Sequence, residues 1–214
     1  MKYLLPILFL VTILIASSCN KGKRQAVIET KFGNITVELS DSTPIHRDNF
    51  IKLVNDGFYD GLLFHRVIND FMIQGGDPES KDAPISKRLG ANGPGYTISP
   101  ELKGLLHYRG ALASARKGPK GNPDSGSQFY LVQGKKKLTE ADLKKAEQYN
   151  KLTYTDEEKA KYLKEGGYPF LDNNYTVFGY VIDGMDVIDK IANVKKVPGD
   201  RPAENITMKI KIIN

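Results

Sequence analysis

Ala26–Lys31 and Ile35–Ser40 alternate apolar and polar residues on either side of Phe32-Gly33-Asn34, which predicts a β-hairpin with one buried face. The period then changes. Ile45, Phe50, Leu53 and Val54 fall close to one helical face, Thr43 is placed as N-cap before Pro44, and Gly57 ends the run. Phe64–Ile68 and Phe71–Ile73 are short apolar runs joined by Asn69-Asp70, a strand–turn–strand pattern that closes on Gly75-Gly76. Those glycines imply a close backbone approach or a positive φ. Residues 78–95 are rich in Pro, Gly, Ser and Asp and read as loop. Leu105–Ala115, Gln128–Gln133 and Tyr175–Ile182 read as strands, Met185–Val194 as a helix, and alternating Ile206, Met208, Ile210 and Ile212 as a closing strand. Many short strands with two body helices predict a mainly-β domain, an antiparallel barrel or sandwich.

Two residues interrupt the apolar runs. Arg66 and Gln74 sit among hydrophobic neighbours, where an unpaired charge or amide is costly to bury. Either they line a cleft, or Arg66 makes a structural ion pair inside a buried hairpin.

The string itself says more. FHRVI followed by FMIQGGD (Phe64–Asp77) resembles the signature of the cyclophilin family of peptidyl-prolyl cis-trans isomerases. Two further blocks fit in order: GALASA (Gly110–Ala115) with SGSQFYL (Ser125–Leu131), then Phe170-Leu171-Asp172 running into Val177-Phe178-Gly179. The resemblance spans residues 26 to 213 apart from an insertion, and three ordered blocks make it far more specific than a lone motif. It implies a closed, eight-stranded antiparallel barrel capped by two helices. It also implies isomerisation of X–Pro bonds, with Arg66 as the catalytic hydrogen-bond donor and Gln74 orienting it and touching the substrate backbone. Phe71, Met72, Tyr130 and Leu171 would form the proline pocket, with Phe170 on its rim. Ala115 and Arg116 would bind the substrate main chain. This chain departs from the family's frequent residues at Tyr130 (usually Phe), Phe170 (often Trp), Tyr175 (often His) and Arg116 (often Asn), which implies altered ligand preference rather than lost activity.

Residues 135–168 are extra to that pattern. Thr139 can cap one helix carrying Leu143 and Ala146, and Thr155 with Glu158 forms a capping box for a second, carrying Ala160 and Leu163 and ending at Gly166-Gly167. Nine Lys and seven Asp or Glu make it a mixed solvated surface. A surface hairpin is the simplest reading, since lengthening a loop adds little entropic cost.

The first residues follow a different logic. Lys2 precedes an apolar run from Leu4 to Ala16, too short to span a bilayer and suited to a signal peptide over residues 1–18. An uncleaved anchor is the alternative. Ala16-Ser17-Ser18-Cys19 resembles a bacterial lipobox, with Ala16 where Leu is usual. Cys19 would then be the lipidated first residue of a tether over 19–25, holding the domain over 26–214 to the periplasmic face of the outer membrane, since no acidic residue follows Cys19.

Composition narrows the rest. The chain of 214 residues is 40% hydrophobic and 26% charged, ordinary for one globular domain with an appendage. Its net charge of +6 comes from scattered Lys, with no basic run interleaved with aromatics, so nucleic acid is not an expected partner. Cys19 is the sole cysteine, and His46, His65 and His107 lack metal-ligand spacing, so neither a disulfide nor a metal or other cofactor is expected. His65 reads as a structural residue packed beside Arg66. The Gly/Pro loop between residues 117 and 126 lacks the Gly-Lys-Ser/Thr ending of a phosphate loop. The expected protein is a monomeric, lipid-anchored isomerase acting on proline-containing segments of exported proteins. The rivals are a non-catalytic proline-peptide-binding or chaperone module of the same fold and a purely structural lipoprotein.

Overall fold

The computed structural model describes residues 23–213, so the signal-peptide and Cys19 readings lie outside the described residues. In chain order the elements are β1 (Gln25–Thr30), β2 (Gly33–Leu39), α1 (Pro44–Asn55), β3 (Arg66–Ile68), β4 (Met72–Gly75), β5 (Thr97–Ile98), β6 (Ala111–Arg116) and β7 (Asp124–Val132). There follow α2 (Glu140–Asn150), α3 (Asp156–Glu165), β8 (Val177–Asp183), α4 (Met185–Ala192), β9 (Lys196–Val197), β10 (Arg201–Pro202) and β11 (Lys209–Ile212). The main sheet runs β11-β1-β2-β8-β6-β7-β4-β3, antiparallel throughout, with β5 added to β7.

The sheet curls but is not a closed ring of strands, which corrects the closed barrel that the resemblance implied. β3 and β11 end the path, and at three and four residues they are too short to carry a ladder around. The gap is bridged by irregular backbone: the Phe64 N–H donates to the Ile206 carbonyl at 2.9 Å, and the Met208 N–H to the Leu62 carbonyl at 2.8 Å.

Inside the curl lies one apolar core. Ile28, Ile35, Val67, Ile73, Leu112 and Leu131 fill it, with Phe50 of α1 at one end and Ile188 and Ile191 of α4 at the other. The start of α1 differs from expectation. Thr43 precedes Pro44, but its hydroxyl is buried with no partner. The first-turn amides of Ile45 and His46 donate instead to the Glu101 carboxylate, at 3.3 and 2.9 Å. A carboxylate there also complements the positive end of the helix dipole.

The strand read from Leu105 begins only at Ala111. Residues 105–108 leave the ladder because His107 is drawn into a side-chain network: its N–H and its Nδ1 both lie on Asp172 Oδ1, at 2.7 and 2.8 Å. That network also changes the reading of the insertion. Both expected helices form, and both Thr139 and Thr155 complete capping boxes. The second helix, however, buries Tyr162 rather than Ala160, which is exposed. Leu143 and Ala146 pack with Tyr108, Tyr154 and Tyr162 in a second core cluster. The Tyr154 and Tyr162 hydroxyls each reach Asp172 Oδ2 at 2.6 Å. The segment is therefore bolted to the domain through a buried carboxylate.

Removing one hydroxyl leaves a buried acceptor under-satisfied. Tyr154→Phe and Tyr162→Phe should each lower unfolding free energy by about 1–3 kcal/mol, read from urea melts. The double variant should depart from additivity, because both hydroxyls serve one oxygen.

Candidate active site

Antiparallel pairing sets the site residues in a row. Arg66 of β3 lies opposite Gln74 of β4, Gln74 opposite Tyr130 of β7, and Tyr130 opposite Ala113 of β6. Directly opposed residues share a face of the sheet, and their chain neighbours Val67, Ile73, Leu131 and Leu112 point into the core. The row thus lies on the outer face. There Met72, Ala111, Ala113, Tyr130, Val132 and Val177 form a third apolar cluster against Phe71, Leu171 and Tyr175.

Close backbone approach fixes one edge of this surface. A Cβ on Gly75 would lie 2.4 Å from the Met208 side chain. Gly76 has φ +88°, and a Cβ there would lie 2.2 Å from the Ser127 carbonyl oxygen. Only glycine serves at Gly76.

A cavity of about 690 Å³ opens on this face. Of the residues singled out from sequence, Arg66, Phe71, Met72, Gln74, Ala115, Arg116, Tyr130, Leu171 and Tyr175 line it. Phe170 does not. It turns toward the insertion, with its ring 6.1 Å from those of Tyr149 and Tyr168. The other wall was not legible in the sequence: His65, residues 85–90, and Pro198, Gly199 and Arg201. The loop read over 78–95 is shaped by buried Asp77, whose carboxylate accepts from the N–H groups of Glu79 at 2.9 Å and Gly90 at 2.6 Å.

The polar groups are individually placed. Arg66 is 41% exposed, and its Nε lies 3.6 Å from Asp200 Oδ2. Gln74 donates to Gln128 Oε1 at 2.9 Å, and Gln128 in turn to the Asn92 carbonyl at 2.6 Å, so Gln74 is tied to the loop and not to Arg66. Arg116 is almost fully buried, its guanidinium 4.5 Å from the Tyr175 ring centroid and 3.5 Å from Asp124 Oδ1. The Tyr130 hydroxyl meets His107 Nε2 at 3.0 Å, and burial raises its pKa well above the ordinary phenol range. With Nδ1–H donating to Asp172, Nε2 of His107 accepts a hydrogen bond from the Tyr130 hydroxyl. The resulting surface is apolar at its floor, with one half-exposed guanidinium on the wall. It can seat a small ring and direct N–H donors at a group above it.

Comparison with known proteins decides the family. The model for the cyclophilin type peptidyl-prolyl cis-trans isomerase family matches residues 26–212. A Staphylococcus saprophyticus protein named as a peptidyl-prolyl cis-trans isomerase is 35% identical over 191 residues, covering 88% of this chain and 91% of that protein. The chain belongs to the cyclophilin family. A similarly named Staphylococcus aureus protein (strain COL) is also 35% identical, over 88% of this chain and 90% of its own length. A crystal structure of a Cryptosporidium parvum cyclophilin type peptidyl-prolyl cis-trans isomerase aligns with a TM-score of 0.66 at 25% identity, covering 90% of this chain and 99% of that one. The activity of this cyclophilin is accordingly peptidyl-prolyl cis-trans isomerisation.

One residue of the wall gives this cyclophilin a pH signature. His65 is 4% exposed, and burial pushes its pKa from 6.5 down to about 4. Between those values the unfolded chain binds the proton and the folded chain does not, so stability is full above pH 6.5 and falls as pH drops toward 4. The loss should reach on the order of 3 kcal/mol. Stability measured by urea melts from pH 7 to 4.5 should fall less steeply in His65→Gln, which does not titrate. The carboxylates whose pKa values are lowered by their partners, Asp48, Asp142 and Glu147 among them, begin to lose their contribution only near pH 4.5, at the acid end of that window.

Proposed function

We propose that this cyclophilin isomerises X–Pro bonds in exported proteins from a lipid-anchored position, with Arg66 as the catalytic donor. The observation that carries the catalytic assignment is the pairing of an apolar floor with a half-exposed guanidinium in the same row of the sheet. Rotation about the C–N bond meets a barrier of about 18–20 kcal/mol because that bond has partial double-bond character. No covalent bond breaks, so no nucleophile is required. In the twisted state the imide nitrogen becomes pyramidal and basic. An N–H donor directed at it binds the transition state better than either planar isomer and lowers the barrier.

In this reading Phe71, Met72, Tyr130 and Leu171 hold the proline ring, and Ala115 and Arg116 present backbone groups to the substrate chain. Gln74, anchored through Gln128, contacts the substrate amide. Asp200 keeps Arg66 extended over the pocket without burying it, since both side chains are 41% exposed. A module that only bound proline peptides would gain little from a guanidinium at that position, which favours catalysis over simple capture. Cys19 supplies the anchor and residues 20–23 the tether, since Arg24 and Gln25 are already hydrogen-bonded into the sheet, and the domain acts as a monomer.

Arg66→Ala should lose about 2–4 kcal/mol of barrier lowering, the range for removing one preorganised donor. The assay is the cis-to-trans rate of a short Ala–Pro peptide, with binding of the same peptide changing far less. Turnover near that of the parent in a folded Arg66→Ala protein contradicts the mechanism. For the anchor, labelled fatty acid should attach to the full chain and be absent from Cys19→Ser. Recovery of an unacylated, soluble parent protein contradicts the lipoprotein reading.

A further inference from the structure

The cavity is larger than a proline ring needs. Its volume of about 690 Å³ lies within the range that encloses a drug-sized ligand. The assigned proline pocket uses the part beside Phe71, Tyr130 and Leu171. The other part is walled by His65, residues 85–90, and Pro198, Gly199 and Arg201.

The charges on this lining are all of one sign. Arg66, Lys87, Arg88, Arg116 and Arg201 line the cavity, and no Asp or Glu does. Most of these cations are already engaged. Arg201 donates to the carbonyls of Lys87 and Ala83 and to Asn205, and so braces the loop. Arg116 is buried over Tyr175, Lys87 pairs with Glu79 at 2.9 Å, and Arg66 faces Asp200. Arg88 is exposed and has no hydrogen-bond or ion-pair partner among the described residues.

A second observation falls on the same wall. Neither ring nitrogen of His65 makes a hydrogen bond of normal geometry, although the Leu63 carbonyl lies close enough to favour the charged ring, and the side chain is more than nine-tenths buried on the cavity wall. A neutral imidazole carries one N–H donor and one lone pair, and leaving such groups unmet in a buried position is costly. The ring packs against Gly90, where a Cβ would lie 3.3 Å from Nε2 and crowd it, so both ring nitrogens are covered by the wall itself.

We propose that this second lobe receives the carboxylate side chain of an acidic residue flanking the proline, so that the enzyme prefers acidic X–Pro segments to basic ones. The inference rests on the reading of this cavity as the proline site. A carboxylate entering the lobe meets the exposed Arg88 guanidinium, with the buried His65 ring behind it and no like charge on the lining. A lysine there meets only cations. Glu79, Asp124 and Asp200 pair with Lys87, Arg116 and Arg66 from outside the lining, which leaves Arg88 and Arg201 without a carboxylate partner among the described residues.

The experiment compares peptides that differ only in one residue flanking the proline, Glu, Gln or Lys, placed before or after it in two series. Exchange NMR on the described domain in about 0.15 M salt, where the Debye length is roughly 8 Å, suppresses distant attraction. At one of the two flanks kcat/KM should favour Glu over Lys by about five-fold, with Gln between. Arg88→Glu should reverse that order and Arg88→Lys should keep it. The same charge change far from the cavity, Lys145→Glu on exposed α2, should leave the ratio in place. Equal rates for Glu and Lys at both flanks, or an equal response to Lys145→Glu, overturn the proposal and assign any preference to net charge. If no peptide is isomerised, the catalytic reading fails instead. Shift titration of the same peptides then still scores the lobe, with equal affinity for Glu and Lys counting against it.

Discussion

The outer face of this cyclophilin depends on one buried carboxylate. Asp172 has no exposure, and both its oxygens are taken up as acceptors: one by the His107 backbone and ring, the other by two tyrosine hydroxyls from the insertion. A bare carboxylate at that depth would be prohibitively costly, and four donors make its burial tolerable. The arrangement locks three distant segments together. His107 carries the link to Tyr130 in the cavity floor, so the insertion and the cavity share one hydrogen-bonded chain. Such a network rigidifies when fully satisfied and becomes a liability when any member is lost.

A second buried group does the same at the other side of the sheet. His46 of α1 sits between Glu101 at 2.7 Å and Asp124 at 3.1 Å, and Asp124 also accepts from Thr176 at 2.6 Å. Asp124 is further the nearest carboxylate to Arg116, whose guanidinium lies under the cavity. The two networks bracket β6, β7 and the first half of β8, where most positions are buried. The strands therefore hold a core within the curl and a reaction surface outside it. That division explains why the site residues alternate with core residues along β3, β4 and β7 and are not gathered on a loop.

Catalysis of a rotation places an unusual demand on the scaffold. Nothing needs to be activated as a nucleophile, so the perturbed tyrosines serve as parts of the frame and the cavity floor. Tyr130, Tyr154 and Tyr162 all have hydroxyl pKa values raised first by burial, and each is a hydrogen-bond member of the Asp172 network. What the reaction needs is a donor held in place without being neutralised. In the proposed mechanism Arg66 is that donor: its carboxylate partner lies 3.6 Å away and at the surface, where solvent screens the pair.

How much of this could be read from the chain alone follows from the range of the interactions. Local periodicity was sufficient for the β1–β2 hairpin, α1, α4 and both insertion helices, because capping residues and apolar spacing act within a few positions. The family motifs located Arg66, Gln74, Phe71, Met72, Tyr130 and Leu171 on one cavity, since register converts a two-residue alternation into a shared face. What spacing cannot encode is which distant group a polar side chain meets. Glu101 replacing Thr43 as the cap of α1, Phe170 turning to the insertion, and the open edge between β3 and β11 all depend on long-range contacts. The insertion is the clearest case. From sequence its charged surface reads as a solvated hairpin, and only the folded chain brings Tyr154 and Tyr162 onto Asp172, where the cost of an unmet buried charge makes the segment part of the domain.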